Sequence, residues 1–438
     1  MSARVKALAV LTACRTRGAW ADAALGSQLA GLSPVDAALC SRIVYGVIQN
    51  ENLLDFYLSA FCTQKLNHLQ PPLADILRIG AYQILFLDRV PDNAAVHTSV
   101  DLAKGAGREQ AAGLVNAVLR RLCREKSALP EIPDRDPVRY LSIKYSYPKW
   151  LAKRIVGLLG RDEGEAFLAA GNSQPPTAAQ VNTCRFDVAW VRESLDREGV
   201  TAAEDPMLPD CLLLTGTGDI EKLTAYQSGA IYVQDAAARL AVQAMGLTPG
   251  SRVLDMCAAP GGKSFAAAIA MGDRGEVLAC DLHENKLKRI QEGAERLQLS
   301  CIRTEAADGR VFRAEWQDAF DAVLVDAPCS GLGILRKKPD IRRKGADSLF
   351  SLPVIQSELL ENAARYVRPG GTLLYSTCTI LPGENEQVTD AFLGMHPDFS
   401  RETFTLPDPI GAAEGQITLW PQRHGTDGFY ICRMARRV

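Results

Sequence analysis

Asp255 stands one residue before the end of a strand-like run, Arg252 to Met256, that leads into Cys257-Ala258-Ala259-Pro260-Gly261-Gly262 and then into Lys263 to Met271, KSFAAAIAM, a set of strong helix formers. The run alternates little, as a central parallel strand buried on both faces does. A strand, a tight Gly/Pro turn and a helix N-terminus present backbone N–H groups and a carboxylate to a polar ligand, which is the chemistry of a cofactor loop. Two familiar loops are excluded. The phosphate cradle GxxxxGK[ST] is met at Gly262, Lys263 and Ser264 but needs glycine where Cys257 stands, and the dinucleotide fingerprint GxGxxG is absent. The next strand, Gly275 to Asp281 (GEVLACD), ends on a carboxylate placed for a ribose hydroxyl pair. A nucleoside without a pyrophosphate fits this set.

Two further motifs follow: DAPCSG at Asp326 to Gly331 and YSTCT at Tyr375 to Thr379. With LDMCAAPGGKS, Leu254 to Ser264, and in this order, they resemble the RNA cytosine-5 methyltransferases that use S-adenosyl-L-methionine. The resemblance implies cofactor contacts from Cys257, Ala258, Ala259, Pro260, Gly261, Gly262 and Lys263, with Asp281 facing the ribose and Asp308 the adenine amine. It gives Asp326 contact with the cofactor or with the cytosine edge, where a carboxylate accepts from the exocyclic amine. Lys263 either meets the methionine carboxylate or solvates the helix start. An isolated strand-end aspartate is more often a helix cap, so the set carries more weight than any member.

Carbon 5 of cytosine is a poor nucleophile. A thiolate adding to carbon 6 makes carbon 5 enamine-like and able to attack an electrophilic methyl group; loss of the carbon 5 proton then expels the thiolate. Such chemistry needs an activated cysteine, a base and groups on the polar edge of the ring. Resemblance to the RNA enzymes assigns the attack to Cys378 and breakdown of the adduct to Cys329. DNA cytosine methyltransferases attack with the cysteine of their PC motif, so spacing alone leaves the two open. A free thiol has a pKa of about 8.5, so either needs activation by its surroundings. No metal-ligand spacing is present, and no metal is expected.

These residues must be held by strands near 252–256, 277–281, 301–306, 321–326 and 371–377 with helices between them, and by a late strand from Gly428 to Met434. That alternation predicts a doubly wound α/β sheet, whose parallel strands share one carboxyl edge where ligands bind. Cys257 to Lys263, Asp281, Asp308, Asp326 to Cys329 and Thr377-Cys378 all fall just beyond strand ends. The expected division is an all-α domain at 1–126, a linker at 127–138, a small α+β RNA-binding subdomain at 139–247 and a Rossmann-like methyltransferase domain at 248–438. Residues 1–126 carry helical spacing throughout, and Pro71 to Leu87, Val90 to Gly105 and Gly113 to Leu122 are similar to the NusB-like RNA-binding domain. From Tyr140 to Leu247 the pattern reads as mixed, with a helix at Lys149 to Leu159, a strand at Thr177 to Asn182, a helix at Val188 to Gly199, a strand at Cys211 to Leu214 and a helix from Ile231 to Ala244. His97 follows apolar Val96 and reads as a buried histidine.

With 49 Lys and Arg against 51 acids among 438 residues, net charge points to no nucleic acid, so any such contact must be local. The local candidate is Arg336 to Lys344, six cations in nine residues directly after the PC motif, expected to touch phosphate. Twelve scattered cysteines without a CxxC pair are expected to be reduced thiols. Val5 to Cys14 resembles a short signal segment, but its helical pattern continues through Trp20 and Leu25, and no apolar run reaches membrane-spanning length. A cytoplasmic, monomeric protein is expected. A NusB-like domain joined to this core resembles the bacterial 16S rRNA cytosine-5 methyltransferases, implying 16S rRNA as partner, naked or in early assembly. The rivals are a transfer RNA methyltransferase and a non-catalytic assembly factor.

Overall fold

The computed structural model describes residues 2–438. Packing divides the chain into two compact units, one running to Ser173 and including Lys338–Lys344, the other made of Gln174–Lys337 and Gly345–Val438.

The first unit is helical. Ala3–Arg17, Pro34–Gln49, Glu51–Phe61, Leu73–Phe86, Asp92–Gly105 and Ala112–Glu125 turn apolar stripes onto one core containing Leu11, Ile43, Leu54, Leu58, Ile76 and Leu77. The signal-like stretch is part of Ala3–Arg17 and buries Ala7, Leu8, Val10, Leu11 and Cys14 in that core. His97 is exposed, not buried, with Nε2 3.4 Å from Asp101 on the same helix. Helices Pro137–Lys144, Lys149–Leu159 and Arg161–Ala170 also belong to this unit. The helix expected at Lys149 to Leu159 is found with those bounds, and the first strand begins at Thr177 as expected. Until then the chain keeps helical capping, with Asp136 accepting from Val138 and Arg139 N–H ahead of a first-turn proline.

Arg342 holds this unit together from a distant part of the sequence. Its Nη1 donates to Gln49 O (3.0 Å) and Tyr145 O (3.1 Å), and its Nη2 to Gly171 O (2.9 Å) and Tyr147 Oη (3.1 Å). Asn172 Oδ1 also accepts from Nη2, and the guanidinium lies 3.9 Å from the Tyr147 ring centre. Gln49 ends one helix, and Tyr145 and Gly171 directly follow two others. Three helix C-termini, each worth roughly half a negative charge, converge on one buried guanidinium and compensate it. This corrects the expectation for the six-cation stretch. Arg342 is 4% exposed, Arg343 Nη2 donates to Glu51 Oε2 at 2.7 Å, and Asp340 between them accepts from Ala21 N–H at 2.9 Å. These charges are used internally because each finds a partner that sequence neighbours do not reveal.

The second unit holds two main sheets. Strands β1 (Thr177–Val181), β2 (Thr201–Glu204), β3 (Cys211–Thr215) and β4 (Ile231–Val233) form an antiparallel sheet in the order β2-β3-β1-β4. The expected helix from Ile231 is thus a strand first. Asp235 accepts from Ala237 N–H and starts the helix proper, Ala236–Ala244. The larger sheet comprises β5 (Arg252–Asp255), β6 (Glu276–Asp281), β7 (Ile302–Ala306), β8 (Phe320–Asp326) and β9 (Val367–Thr377), all parallel, then β10 (Phe399–Arg401). A hairpin of β11 (Phe404–Leu406) and β12 (Gly411–Ala413) precedes β13 (Gln416–Leu419) and β14 (Phe429–Arg436). Strand order is β10-β14-β9-β8-β5-β6-β7, with β14 antiparallel to β9 and β13 paired to β14. From β5 the chain winds outward through β6 and β7, then returns to the other side of β5 as β8. The crevice at such a reversal lies beyond the carboxyl ends of β5 and β8.

Arg342→Ala should lower the stability of the helical unit by about 3 kcal/mol or more, because several buried carbonyls lose their donor together. Arg342→Lys should recover less than half, since an ammonium lacks the planar fork. Urea unfolding followed by far-ultraviolet circular dichroism measures both.

Candidate active site

The turn after β5 is shaped by local sterics. Gly261 has φ 109°, and a Cβ there would lie 2.6 Å from the Phe265 ring, so only glycine fits. Ala258 N–H donates to Cys280 O at 2.8 Å, tying the turn to the end of β6. Helix Gly262–Ala270 follows at once, and Ser264 Oγ donates to Asp255 Oδ2 at 2.7 Å. Asp255 is 1% exposed, and its Oδ1 has no hydrogen-bond partner among the described residues. Burial pushes its carboxyl up to about 7, with the Ser264 bond opposing and the Asp326 charge adding to the rise.

The carboxylates at the strand ends differ in surroundings. Asp281 is buried at the end of β6, where Oδ1 accepts from His283 N–H at 3.0 Å and lies 3.5 Å from Lys286 Nζ. Asp308, beyond β7, receives Arg310 Nε at 3.0 Å and Nη2 at 2.8 Å, and these bonds hold its carboxyl below the usual carboxylate range. Asp326, the last residue of β8, receives Lys263 Nζ at 2.6 Å and Ser376 Oγ at 2.9 Å. Lys263 is therefore no solvated cation at a helix start. Burial works against its charge, and the Asp326 carboxylate outweighs that and raises it above the ordinary lysine value.

β8 and β9 run parallel with Asp326 opposite Ser376. The PC turn and the TC turn thus leave neighbouring strands at the same level, and Cys329 Sγ lies 3.1 Å from Cys378 Sγ. Both cysteines are unbridged and half-buried. The Cys329 thiol is pushed well above its ordinary value, first by its hydrogen bond with Cys378, then by burial and the charges of Glu384 and Asp326. Ser330 Oγ and Thr379 Oγ1, one residue past each sulfur, are 2.7 Å apart.

The segment after the PC turn is fixed by charge and by close backbone approach. Gly333 N–H donates to Cys378 O at 2.9 Å, and a Cβ on Gly333 would sit 1.9 Å from Gly428 O. Arg336 Nε donates to Asp427 Oδ1 at 2.7 Å, and Lys337 Nζ bridges Asp427, at 2.7 Å, and Asp235. With Arg342 and Arg343 they make four of the six cations engaged by oxygens; Lys344 Nζ lies 5.1 Å from the Trp20 ring centre, and Lys338 is exposed. Among residues not singled out by sequence, Ser376, Gln356, Glu384 and Asn385 all touch the cysteine turns or Asp326. Glu384 and Asn385 lie within eight residues of Cys378, a proximity signal only.

A parallel sheet reversed at β5, closed by antiparallel β14, with carboxylates at successive strand ends, defines an S-adenosylmethionine-dependent methyltransferase. The description 16S rRNA methyltransferase RsmB/F matches residues 242–435, NusB family matches 1–124, and the RsmF/B-like ferredoxin-like domain matches 147–221. The packing boundary at Ser173 falls inside the last of these. The chain is 36% identical to the probable ribosomal RNA small subunit methyltransferase B of Bacillus subtilis, over 93% of this chain and 92% of that one. It is 34% identical to the protein of the same description from Synechocystis, over 100% of both. The solved structure of PH0851 is similar over 99% of both chains at TM-score 0.80 and 27% identity. A Pyrococcus horikoshii methyltransferase homolog matches 68% of this chain and 97% of its own at TM-score 0.57 and 27% identity. The chain belongs to the 16S rRNA methyltransferase RsmB/F family.

A carboxyl whose folded pKa is raised binds its proton more tightly in the folded state than in the unfolded state. The resulting stability is complete at low pH and is lost as pH rises from about 4 to about 7, amounting to up to about 4 kcal/mol. Asp255→Asn keeps an acceptor for Ser264 and should flatten that decline. Urea midpoints measured across this pH window test it.

Proposed function

We propose that this chain methylates carbon 5 of a cytosine in 16S rRNA, with Cys378 as nucleophile and Cys329 releasing the product. The observation that carries this reading is the 3.1 Å approach of the two sulfurs beside the switch point of the sheet. S-adenosyl-L-methionine supplies an electrophilic methyl group when bound. The turn Cys257, Ala258, Ala259, Pro260, Gly261, Gly262 and Lys263 would hold it together with Asp281, Asp308 and Asp326. The donor set fits such a ligand: the turn runs into the N-terminus of helix Gly262–Ala270, with Asp281 ending β6 and Asp326 ending β8 beside it.

The protein's steps follow from the paired thiols. Either sulfur of the pair can donate to the other at 3.1 Å, and we assign Cys378 the addition to carbon 6 of the ring. Asp326, its charge balanced by Lys263, would accept from the cytosine amine. After carbon 5 has taken the methyl group, its proton must pass to a base before the Cys378–carbon 6 bond breaks, and Cys329, 3.1 Å from Cys378, would accept it in its thiolate form. The target base must be unstacked, since the thiol needs access to its face.

The sequence division 1–126, 127–138, 139–247 and 248–438 is proposed for the modules, with RNA contact assigned to the NusB-like and ferredoxin-like parts. Among the described residues no helix is long and apolar enough to cross a membrane. A cytoplasmic monomer acting on naked 16S rRNA or an early assembly intermediate is proposed.

Cys378→Ala should abolish turnover while leaving cofactor affinity within about threefold; full activity would reassign the nucleophile. Cys329→Ala should accumulate a protein–RNA adduct that resists denaturing gel electrophoresis, and methylation without that species would remove the release role. Methyl transfer to deproteinised 16S RNA but not to bulk transfer RNA, with bisulfite mapping of the product, tests the substrate.

A further inference from the structure

Outside the residues assigned above, one short segment grips both cysteine turns. Pro382–Glu384 makes a single helical turn, and Asn385 follows it. Glu384 is 2% exposed and Asn385 is fully buried. Glu384 Oε2 accepts from Ser330 N–H at 2.8 Å and from Gln356 Nε2 at 3.1 Å, and the same Gln356 amide donates to Pro328 O at 3.0 Å. Both flanks of Cys329 are therefore held through this carboxylate. Asn385 does the same for Cys378, since its Oδ1 accepts from Thr377 Oγ1 at 2.6 Å and its Nδ2 donates to Thr379 O at 3.1 Å. Tyr375 Oη donates to Glu384 O at 2.6 Å, fixing the clamp to β9.

The bland alternative is that these are the capping residues of the next helix, Glu386–Met395. Asn385 does occupy the position before that helix, yet its side chain makes no capping bond and spends both its groups on the TC turn. Burying a carboxylate costs several kcal/mol unless donors compensate it. Here the donors come from the PC turn and from Gln356 beside it, so the compensation and the positioning are one arrangement.

We propose that Glu384 and Asn385 are positioning residues that set the separation and orientation of the Cys329 and Cys378 thiols. The proposal rests on the two-cysteine reading of the site. Misplacing a reacting group by about 1 Å costs roughly a hundredfold in rate.

The experiment reads turnover and, independently, thiol proximity. Treatment with 4,4′-dithiodipyridine converts two adjacent thiols to a disulfide and releases two thiopyridones, with both thiol protons passing to those products; peptide mapping then follows the Cys329–Cys378 link. Glu384→Ala should lower kcat at least a hundredfold with KM for RNA and cofactor within threefold, and slow the link at least tenfold. Glu384→Gln, which keeps the accepting oxygen, should restore both to within threefold of the unaltered protein. Should Glu384→Ala not fold, Asn385→Ala is held to the same criteria. Linking and turnover at unaltered rates in the alanine variant, or a glutamine variant as defective as alanine, would overturn the proposal. The linking arm needs no RNA, so an unaltered protein inactive on RNA counts against the functional reading while that arm still decides the clamp.

Discussion

The parallel pairing of β8 with β9, Asp326 opposite Ser376, is the constraint on which the site depends. A one-residue slip in a strand turns every side chain to the other face. It would separate the two sulfurs, part Asp326 from Ser376 and carry the PC turn away from Glu384. The register is defended on both sides by buried apolar residues, Val323 and Val325 on β8 and Leu373 and Tyr375 on β9, so core packing and thiol geometry are the same specification. The adjoining β5 adds the cofactor turn because the chain reverses direction around it.

Between Arg336 and Arg343, charge links segments far apart in sequence. Arg342 answers helix ends, Arg343 answers Glu51, and Arg336 and Lys337 answer Asp427 and Asp235. The chain as a whole is slightly acidic, with formal net charge −2. Strong salt dependence of RNA binding, if it follows counterion release, draws little on Arg336, Lys337, Arg342 and Arg343, whose charges are already met within the protein.

The catalytic strands and their terminal residues were legible because each carries a local signature: an apolar run, then a turn with chemistry at its end. β5 through β9 and β14 lie where period and turn signals place them. Helix Lys149–Leu159 is legible from its apolar period, but its membership of the first unit is not, because the charged, proline-rich stretch before Pro137 looks like a domain boundary. Ile231 to Val233 continues smoothly into helix-forming residues, and only its pairing with β1 makes it a strand. His97 was misread because an apolar neighbour says little about which side of a helix a residue occupies. The basic run was misread for a deeper reason. Arg342 and Gln49 are separated by 293 positions, and a charge pattern cannot show that its partner is a backbone carbonyl. Glu384 and Asn385 escaped notice likewise, as their function lies in what they touch and not in any reactive group of their own.

The Arg342 plug bears on the order in which the chain can mature during synthesis. A ribosome working from the amino terminus delivers all the helices of the first unit before Lys338–Lys344 emerges. Until then three helix ends point partial negative charge and bare carbonyls into a space that only water can fill. The amino-terminal unit thus attains its final packing late in translation, and a nascent or prematurely terminated product would carry a loosened version of it.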